Sequence, residues 1–533
     1  MMKNKIMIII LTCVMAIAFT GCGSNKAVDD DTSTVNQGED NQTEQEQTDQ
    51  GQKDDEKEPE EVVVQDDIVV AVPQDPDYLD PHLAAASGTY EMMFNVFEGL
   101  LKPDHTGKLL PAVAGDYTIS EDGLKYTFVL RDGITFHNGD LVTIEDVEYS
   151  YKRIKGDIRD DIVSTAFENV DMAVIDDKTI EFTLTEPNSG FIVNLTKAVI
   201  PAGLDEEQHN KQPIGTGPYA FTEYVPSQKV ALKRFDGYWG KPVAIKDVEF
   251  RIFADNNTAL MSLLAGEVDM YPRVGTENID MLTDEFYYIE GMQNMVQLMS
   301  FNNAVKPLDN VKVRQAINYA VDVDMIIDGV SDGKGTKLGS NMSPAMAFYH
   351  ETGLEDKYNV DIEKAKQLLK EAGYDNGFET SITVPSNYEF HVKTAEVIAE
   401  QLKAVGIQAS IKSVEWSVWL EDVYKGRDYE MTIIGLTGKL DPHNILVRYE
   451  SEYGRNYMNY SNEAYDKLIA DAIKETSEEK RAALYKQAQV ILADEVPAVY
   501  IMDPNFIVAL KSNLKGYALY PLYVQDLSSM YFE

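Results

Sequence analysis

The sequence predicts an α/β protein whose body is divided into two or more lobes. Residues 126–130 and Thr179–Leu184 alternate apolar and polar side chains with the period of a half-buried strand. A helical pattern over residues 391–405 ends at Gly406 and leads directly into an alternating strand, residues 407–414. Helix, glycine turn and strand in that order favour a partly parallel sheet covered by helices. The body of about 465 residues exceeds the usual size of one hydrophobic core.

Three further helices are predicted in the second half of the chain. Residues 361–372 place apolar side chains at helical spacing, and Gly373 follows as a C-cap. Residues 462–474 and 478–493 have the same periodicity and carry no signal beyond packing. These elements give the body its helical layer.

The amino terminus has the pattern of an export signal. Lys3 and Lys5 precede an apolar run over residues 6–19, and small residues then lead into Cys22. The run is shorter than the about 20 residues that cross a membrane. Residues 1–21 resemble a bacterial lipoprotein signal peptide, which implies cleavage before Cys22 and a lipid on its thiol. A plain membrane anchor and an unmodified secreted thiol are the alternatives.

Residues 22–66 are predicted to form a disordered, acidic stalk. Residues 23–67 hold 16 acidic and three basic side chains and no aromatic one, so the segment has little to bury. Its like charges favour an extended spacer between membrane and body. The chain as a whole carries a net charge of −42, which argues against nucleic acid as a partner. The only cysteines are Cys13 and Cys22, so no disulfide framework is expected after cleavage.

The reactive patterns of common enzyme classes are absent from the sequence. The seven histidines are scattered without metal spacing, and no nucleophile elbow, P-loop or dinucleotide fingerprint is present. The segment of residues 215–219, Gly-Thr-Gly-Pro-Tyr, is interpreted as a rigid turn because Pro218 removes an amide donor. No cofactor, metal or catalytic residue is predicted. A glycan hydrolase with paired carboxylates remains an alternative of another class.

Several segments together resemble one family, the extracytoplasmic solute-binding proteins of peptide-type ABC importers, also called solute-binding protein family 5. The matching segments follow the family's order along nearly the whole body. They are residues 79–82, 97–100, 119–123, 126–133, 136–139, 215–219, 238–240, 264–269, 313–316, 441–442, 459–462 and 465–466. A single one of these motifs would be weak, whereas the ordered set is specific.

The resemblance implies a periplasmic-binding-protein clamshell, with two α/β lobes joined by two hinge crossovers. The first lobe is expected over residues 67–303, with an extra subdomain inserted at about 101–213. The second lobe is expected over residues 304–502, and residues 503–533 return to the first lobe. The crossovers are expected near residues 297–303 and 499–504.

The resemblance also implies a function without catalysis. The chain is expected to be a monomeric, lipid-anchored receptor on the outer face of the cell membrane that captures a solute and delivers it to an ABC transporter permease. An oligopeptide is the leading solute, and a nickel chelate or an oligosaccharide are the alternatives within the fold. An adhesion or sensory protein with the same clamshell is a third reading.

The ligand-facing positions are carried over from the resemblance one by one. In the first lobe they are Ser87, Gly88, Tyr271 and Arg273, and in the second lobe Trp416, Leu436, Thr437 and Asp441. The alternatives are an ion pair for Arg273, core packing for Trp416 and Trp419, and a turn at residues 441–442.

One departure from the family concerns the ligand's amino end. Peptide-binding members hold the ammonium with an aspartate just before the position of Asp441, where this chain has Gly438 and Lys439. A buried ammonium without a partner is costly. Either Asp441 therefore serves in its place, or the ligand has no free amino end at this point. If Lys439 or Arg273 faces the cleft, an acidic ligand group is favoured.

Overall fold

A computed structural model describes residues 65–158 and 163–533, which belong to one compact unit, Val63–Glu533. The predicted signal peptide, the lipid site Cys22 and the stalk up to residue 64 lie outside the described residues. Among the described helices, none is long and apolar enough to cross a membrane.

The strands of the described body form one long sheet that continues through both lobes, a separate four-stranded sheet and two short pairs. In chain order they are β1 Asp67–Val72, β2 Leu101–Pro103, β3 Leu109–Pro111, β4 Ala114–Ile119, β5 Lys125–Leu130, β6 Val170–Val174, β7 Thr179–Leu184, β8 Tyr219–Val225, β9 Lys229–Arg234, β10 Asp247–Ile252, β11 Met270–Tyr271, β12 Phe286–Met292, β13 Met295–Phe301, β14 Gly335–Lys337, β15 Glu379–Pro385, β16 Gln408–Val414, β17 Met431–Thr437, β18 Ala498–Lys511, β19 Leu514–Lys515 and β20 Tyr531–Phe532.

Helices cover these sheets, and most of them begin at a side-chain cap. They are α1 Ser87–Met93, α2 Ile144–Lys155, α3 Glu206–Lys211, α4 Asn256–Leu264, α5 Val311–Ala320, α6 Val323–Ser331, α7 Ile362–Glu371, α8 Glu389–Leu402, α9 Trp416–Val418, α10 Pro442–Leu446, α11 Glu463–Lys474 and α12 Glu478–Glu495. A π-type turn, Trp419–Lys425, continues α9. An Asp, Asn, Ser or Thr oxygen accepts a first-turn N–H in α2 to α7 and α10 to α12.

The strands and helices predicted from periodicity are confirmed. The two alternating strands are β5 and β7, which pair with each other. The helix predicted over residues 361–372 is α7, capped by Asp361, and Gly373 follows with a φ of 87°. After α8, Gly406 has a φ of 83°, and the chain enters β16, which runs parallel to β15. The helix–glycine–strand pattern is therefore a parallel β–α–β unit.

The first lobe is built on β1, which lies parallel to β10 and β11. Alternate residues of β1 face two different cores. Ile68, Val70 and Val72 pack with α1, whereas Ala71 packs with the buried leucines of α4. A strand with helices on both faces has two buried sides, which explains its continuous apolar sequence.

The extra subdomain has a core of its own. Its sheet has the order β4-β5-β7-β6, and α2 packs against it. In the centre of this core, Phe182 meets Phe128 and Tyr151 edge to face, and Phe191 meets Phe167 in the same way. The buried cluster runs from Leu100 to Val199, while the exact limits predicted for the subdomain stay a prediction.

The second lobe continues the long sheet in the order β16-β15-β17-β13-β18. Met299 and Phe301 of β13 face the core that contains α5 to α8, and Val296 and Leu298 face the core that contains α10 to α12. Helices therefore cover both faces here as well.

Two crossovers connect the lobes. The first lies between Met292, where β12 ends, and Met295, where β13 begins, slightly earlier than the range of residues 297–303 expected from the sequence. The second lies within β18, which pairs with β14 up to Pro504 and with β12 from Asn505 onward. The predicted clamshell with two hinge crossovers is thus the fold of the body.

The Gly-Thr-Gly-Pro-Tyr turn closes on the chain that leaves α1. The N–H of Gly217 donates to Val96 O, and that of Tyr219 donates to Asn95 O. A β-carbon at Gly215 would lie 2.1 Å from Val96 O, so only glycine allows the two backbones to approach this closely. The motif is a packing element of the first lobe.

Candidate functional site

A cleft between the lobes contains two neighbouring cavities, of about 360 and about 700 Å³. Both are lined by residues of both lobes, and both include Gln293 and Thr437. Gln293 lies in the first crossover, and Thr437 is the last residue of β17. The crossovers therefore form the floor on which the two cavities meet.

The narrower cavity lies mainly against the first lobe. Ser87 and Tyr90 of α1 line it, together with the apolar side chains of Leu79, Phe94 and Phe97. From the second lobe, the loop of residues 437–440 closes the opposite side. The result is a cavity lined mainly by apolar side chains of both lobes.

The wider cavity has an aromatic wall in the second lobe. The rings of Trp416 and Trp419 stack with centroids 5.2 Å apart, and Tyr388 meets Trp416 edge to face. Trp419 is buried, and its indole N–H donates to Thr432 Oγ1 at 2.9 Å. Both indoles therefore line the wider cavity: Trp419 is buried and anchored in the core, and the half-buried Trp416 has the more exposed surface.

His391 also lines the wider cavity, and it is held neutral there. Burial lowers the pKa of its imidazole to about 4. Gln297 Nε2 donates to His391 Nδ1 at 3.1 Å, which requires a ring nitrogen without a proton. This wall of the cavity is uncharged at neutral pH.

A buried carboxyl group lies directly beside the crossovers. Asp503 Oδ1 accepts the N–H of Gln293 at 3.1 Å, and Ser343 Oγ donates to Asp503 Oδ2 at 2.5 Å. Burial raises the pKa of Asp503 to about 6 despite these hydrogen bonds. Asp503 thus joins the second crossover, the first crossover and a second-lobe loop.

Four of the predicted ligand-facing residues line the cavities. Ser87 lines the narrower cavity, Trp416 and Leu436 line the wider one, and Thr437 lines both. The structure therefore brings these four residues to one cleft, although Ser87 is separated by more than 300 positions from the other three.

Three first-lobe predictions fall outside the described lining. Gly88 lies beneath the cleft surface, where a β-carbon would meet Gln74 Nε2 at 2.5 Å. Tyr271 is buried in the core beside α4. Arg273 makes a two-pronged ion pair with the fully buried Glu91, at 2.9 and 2.8 Å. Arg273 therefore forms an ion pair within the first lobe, as the alternative interpretation of this residue predicted.

Asp441 is likewise occupied within the protein. It caps α10, and both of its oxygens accept hydrogen bonds from Arg481 Nη2, at 2.8 and 2.9 Å. Both side chains are buried, and Asp441 does not belong to the described lining of either cavity. The carboxylate of Asp441 is therefore already paired with a buried guanidinium, and its role toward a ligand stays a prediction.

Gly438, where the resemblance leads one to expect an aspartate, lies in close contact with the first crossover. A β-carbon at Gly438 would lie 2.2 Å from Asn294 Cγ and 2.3 Å from Asn294 O. The side chain of Asn294 also donates to Lys439 O at 3.4 Å, which ties this loop to the first crossover. An aspartate at Gly438 would require the loop to move.

Several lining residues escaped prediction from the sequence. They are Gln293, Lys197, Tyr90, Phe94, Tyr388 and Tyr523. They come from separate segments and share no local pattern. A weak signal existed only at Gln293, which lies four residues before the range predicted for the first crossover.

Comparison with known proteins gives consistent matches over the body. Residues 108–457 match the family model of bacterial extracellular solute-binding proteins, family 5 Middle. The dipeptide-binding protein of Escherichia coli (strain K12) is 30% identical over 490 residues, covering 84% of this chain and 91% of that protein. Heme-binding protein A of Haemophilus influenzae is 32% identical over 454 residues, covering 77% and 82% of the two chains.

A solved structure matches the fold over the same region. It is the ABC transporter-associated periplasmic binding protein DppA from Helicobacter pylori, in complex with the peptide STSA. The TM-score is 0.71 at 27% identity, and the match covers 88% of this chain and 98% of that chain.

Proposed function

This chain belongs to the bacterial extracellular solute-binding proteins of family 5, and we propose that it captures an oligopeptide in its interlobe cleft and delivers it to an ABC permease. The observation that carries the proposal is the pair of connected cavities above the crossovers, lined from both lobes. A ligand that contacts both lobes favours their closed arrangement, and a permease can recognise that arrangement.

The lining supports a peptide as the solute. The face of Trp416 and the neutral wall at His391 suit an apolar or aromatic side chain. Ser87 supplies a hydroxyl group to the narrower cavity and Thr437 supplies one to both cavities, and a peptide backbone needs such hydrogen-bonding groups. A sugar could also stack on Trp416, so an oligosaccharide stays an alternative in the test below.

Binding without catalysis is part of the proposal. Among the described lining residues, the narrower cavity has one carboxylate, Glu98, and the wider cavity has one, Glu277. Glu98 Oε2 accepts from Trp239 Nε1 and Thr216 Oγ1, and its Oε1 accepts from Tyr238 Oη. A glycosidase needs two carboxyl groups facing one bond, and a carboxylate occupied in this way is a poor candidate.

The lipid tether on Cys22 and the acidic stalk complete the proposal. They would hold the body at the outer membrane face beside its permease. Mass spectrometry of the mature protein tests this part. We expect an amino-terminal peptide that begins at diacylglyceryl-modified Cys22, and an unmodified Cys22 would refute the tether.

A thermal-shift screen of the purified chain tests the proposed solute. Tripeptides should raise the free energy of unfolding by roughly 2.7 kcal/mol at a hundredfold excess over Kd, whereas nickel–histidine chelates and oligosaccharides should not. Trp416→Ala should reduce this ligand-induced rise in stability. Val418 is exposed on the same short helix and lies outside the described lining, so Val418→Ala should leave the rise unchanged. A shift only with chelates or sugars would replace peptide as the solute, and no shift with any compound would refute solute capture.

A further inference from the structure

The narrower cavity contains two lysines whose ammonium groups lack a carboxylate partner among the described residues. They are Lys197, which is half-buried, and Lys439, which is exposed at the opening on the second-lobe side. Most lysines near a carboxylate in this body form an ion pair, for example Lys334 with Glu290 at 2.7 Å.

The backbone of each lysine is firmly held. Tyr151 Oη donates to Lys197 O at 3.3 Å, and the next strand-like segment is tied to the first lobe by Val199 N–H donating to Glu98 O. Lys439 is held through its carbonyl by Asn294, as described above. The two lysines therefore approach the same cavity from opposite lobes, on segments fixed by buried partners.

The remaining charges of the cavity do not neutralise them. Glu98 is fully buried, is occupied by three neutral donors and lies 3.5 Å from Lys102 Nζ. His82 is neutral, since burial lowers the pKa of its imidazole to about 3. The described lining of this cavity is therefore net positive at neutral pH.

The titration of both lysines agrees with this geometry. Burial away from water lowers the pKa of Lys197. The pKa of Lys439 is lowered by burial and, to a smaller extent, by the positive charge of Arg448. A nearby carboxylate would have the opposite effect. An anionic ligand would supply the missing partner and recover the cost of holding cations there.

We infer that the narrower cavity recognises a carboxylate of the bound solute through Lys197 of the first lobe and Lys439 of the second. A carboxylate that contacts both lysines bridges the two lobes. Binding of this group therefore also favours closure of the lobes around the solute. This inference rests on the proposed function and deepens it. The carboxylate has two sources in a peptide, its carboxyl terminus and an acidic side chain.

Calorimetric titration of the purified chain distinguishes these sources. The probes are Ala-Ala-Ala and its carboxyl-terminal amide, Ala-Glu-Ala and Ala-Gln-Ala, and glutarate as a non-peptide dicarboxylate. In at least one peptide pair, the charged member should bind roughly tenfold to a hundredfold tighter than its neutral isostere. The pair that shows this preference identifies the source of the carboxylate.

Matched variants assign the preference to the two lysines. Lys197→Met and Lys439→Met should each reduce it by about tenfold or more, because a charge-assisted hydrogen bond is lost. Lys412→Met, on the exposed strand β16, should leave it unchanged. Unchanged melting temperatures without ligand would show that the methionine variants are folded.

The outcomes separate this inference from the proposed function. Equal binding of both members of each pair, or a preference that survives in both methionine variants, overturns the inference and leaves peptide capture intact. Binding of glutarate alone supports the anionic site and removes peptide as the solute. If no probe binds, the proposed function fails and the inference fails with it.

Discussion

Replacing Asp441 with alanine is expected to lower the free energy of unfolding by about 3–5 kcal/mol, because it leaves the buried Arg481 guanidinium without its counter-ion. The pair lies between α10 and α12, with oxygen–nitrogen distances of 2.8 and 2.9 Å. Arg481 also lies over the rings of Tyr349 and Tyr485, which give it little access to water. Chemical denaturation of the purified variant measures the loss.

A double-mutant cycle provides the control. Arg481→Met removes the other partner, and the double variant should recover much of the stability because no unpaired charge remains buried. Additive losses in the double variant would contradict a direct pair. The pair also predicts that N-acetylated and free peptides bind the parent protein equally well, since both oxygens of Asp441 already accept from Arg481. A strong preference for free peptides would contradict this assignment.

The second large effect is a pH dependence of stability that comes from Asp503. Its folded-state pKa is about 6, raised from 3.8 by burial, so the folded protein holds this proton more tightly than the unfolded chain. A raised carboxyl pKa stabilises the fold at low pH, and the contribution is lost as pH rises from 3.8 to about 6. The difference between these two pKa values corresponds to roughly 3 kcal/mol of unfolding free energy between the low-pH and high-pH limits.

The Asp503→Asn variant isolates this contribution. Relative to the variant, the parent should lose roughly 2.4 kcal/mol of unfolding free energy between pH 4 and pH 7. Asparagine keeps the oxygen that accepts the Gln293 N–H, so the hinge contact is retained. Asp284→Asn, at an exposed position, should show no such trend. A difference between parent and Asp503→Asn that is independent of pH would refute the assignment.

The local elements of the fold could be predicted because their signals are local. The helix–glycine–strand order at Gly406 and the cap at Asp361 depend on neighbours within a few residues, and both are confirmed. The position of the first crossover was less well predicted, since strands β12 and β13 follow each other with only two residues between them. Their sequences do not show which sheet each one joins.

The candidate site could be predicted only in part because its partners are distant in sequence. Arg273 pairs with Glu91 across 182 positions, and Asp441 pairs with Arg481 across 40. The sequence around a basic or acidic residue does not show whether that residue already forms an ion pair within the protein. Trp416 and Trp419 both line the wider cavity, but only Trp419 is also anchored in the core by Thr432, a contact that helical spacing does not reveal.

Hydrogen exchange with and without saturating tripeptide tests the central claim, capture of a solute between the two lobes, most directly. The account predicts slower exchange in segments of both lobes at once, at residues 87–94 in the first lobe and 436–440 in the second. The four-stranded sheet of the extra subdomain should be unaffected, since it does not line the cavities. Protection confined to one lobe, or centred on the subdomain sheet, would contradict capture in the interlobe cleft.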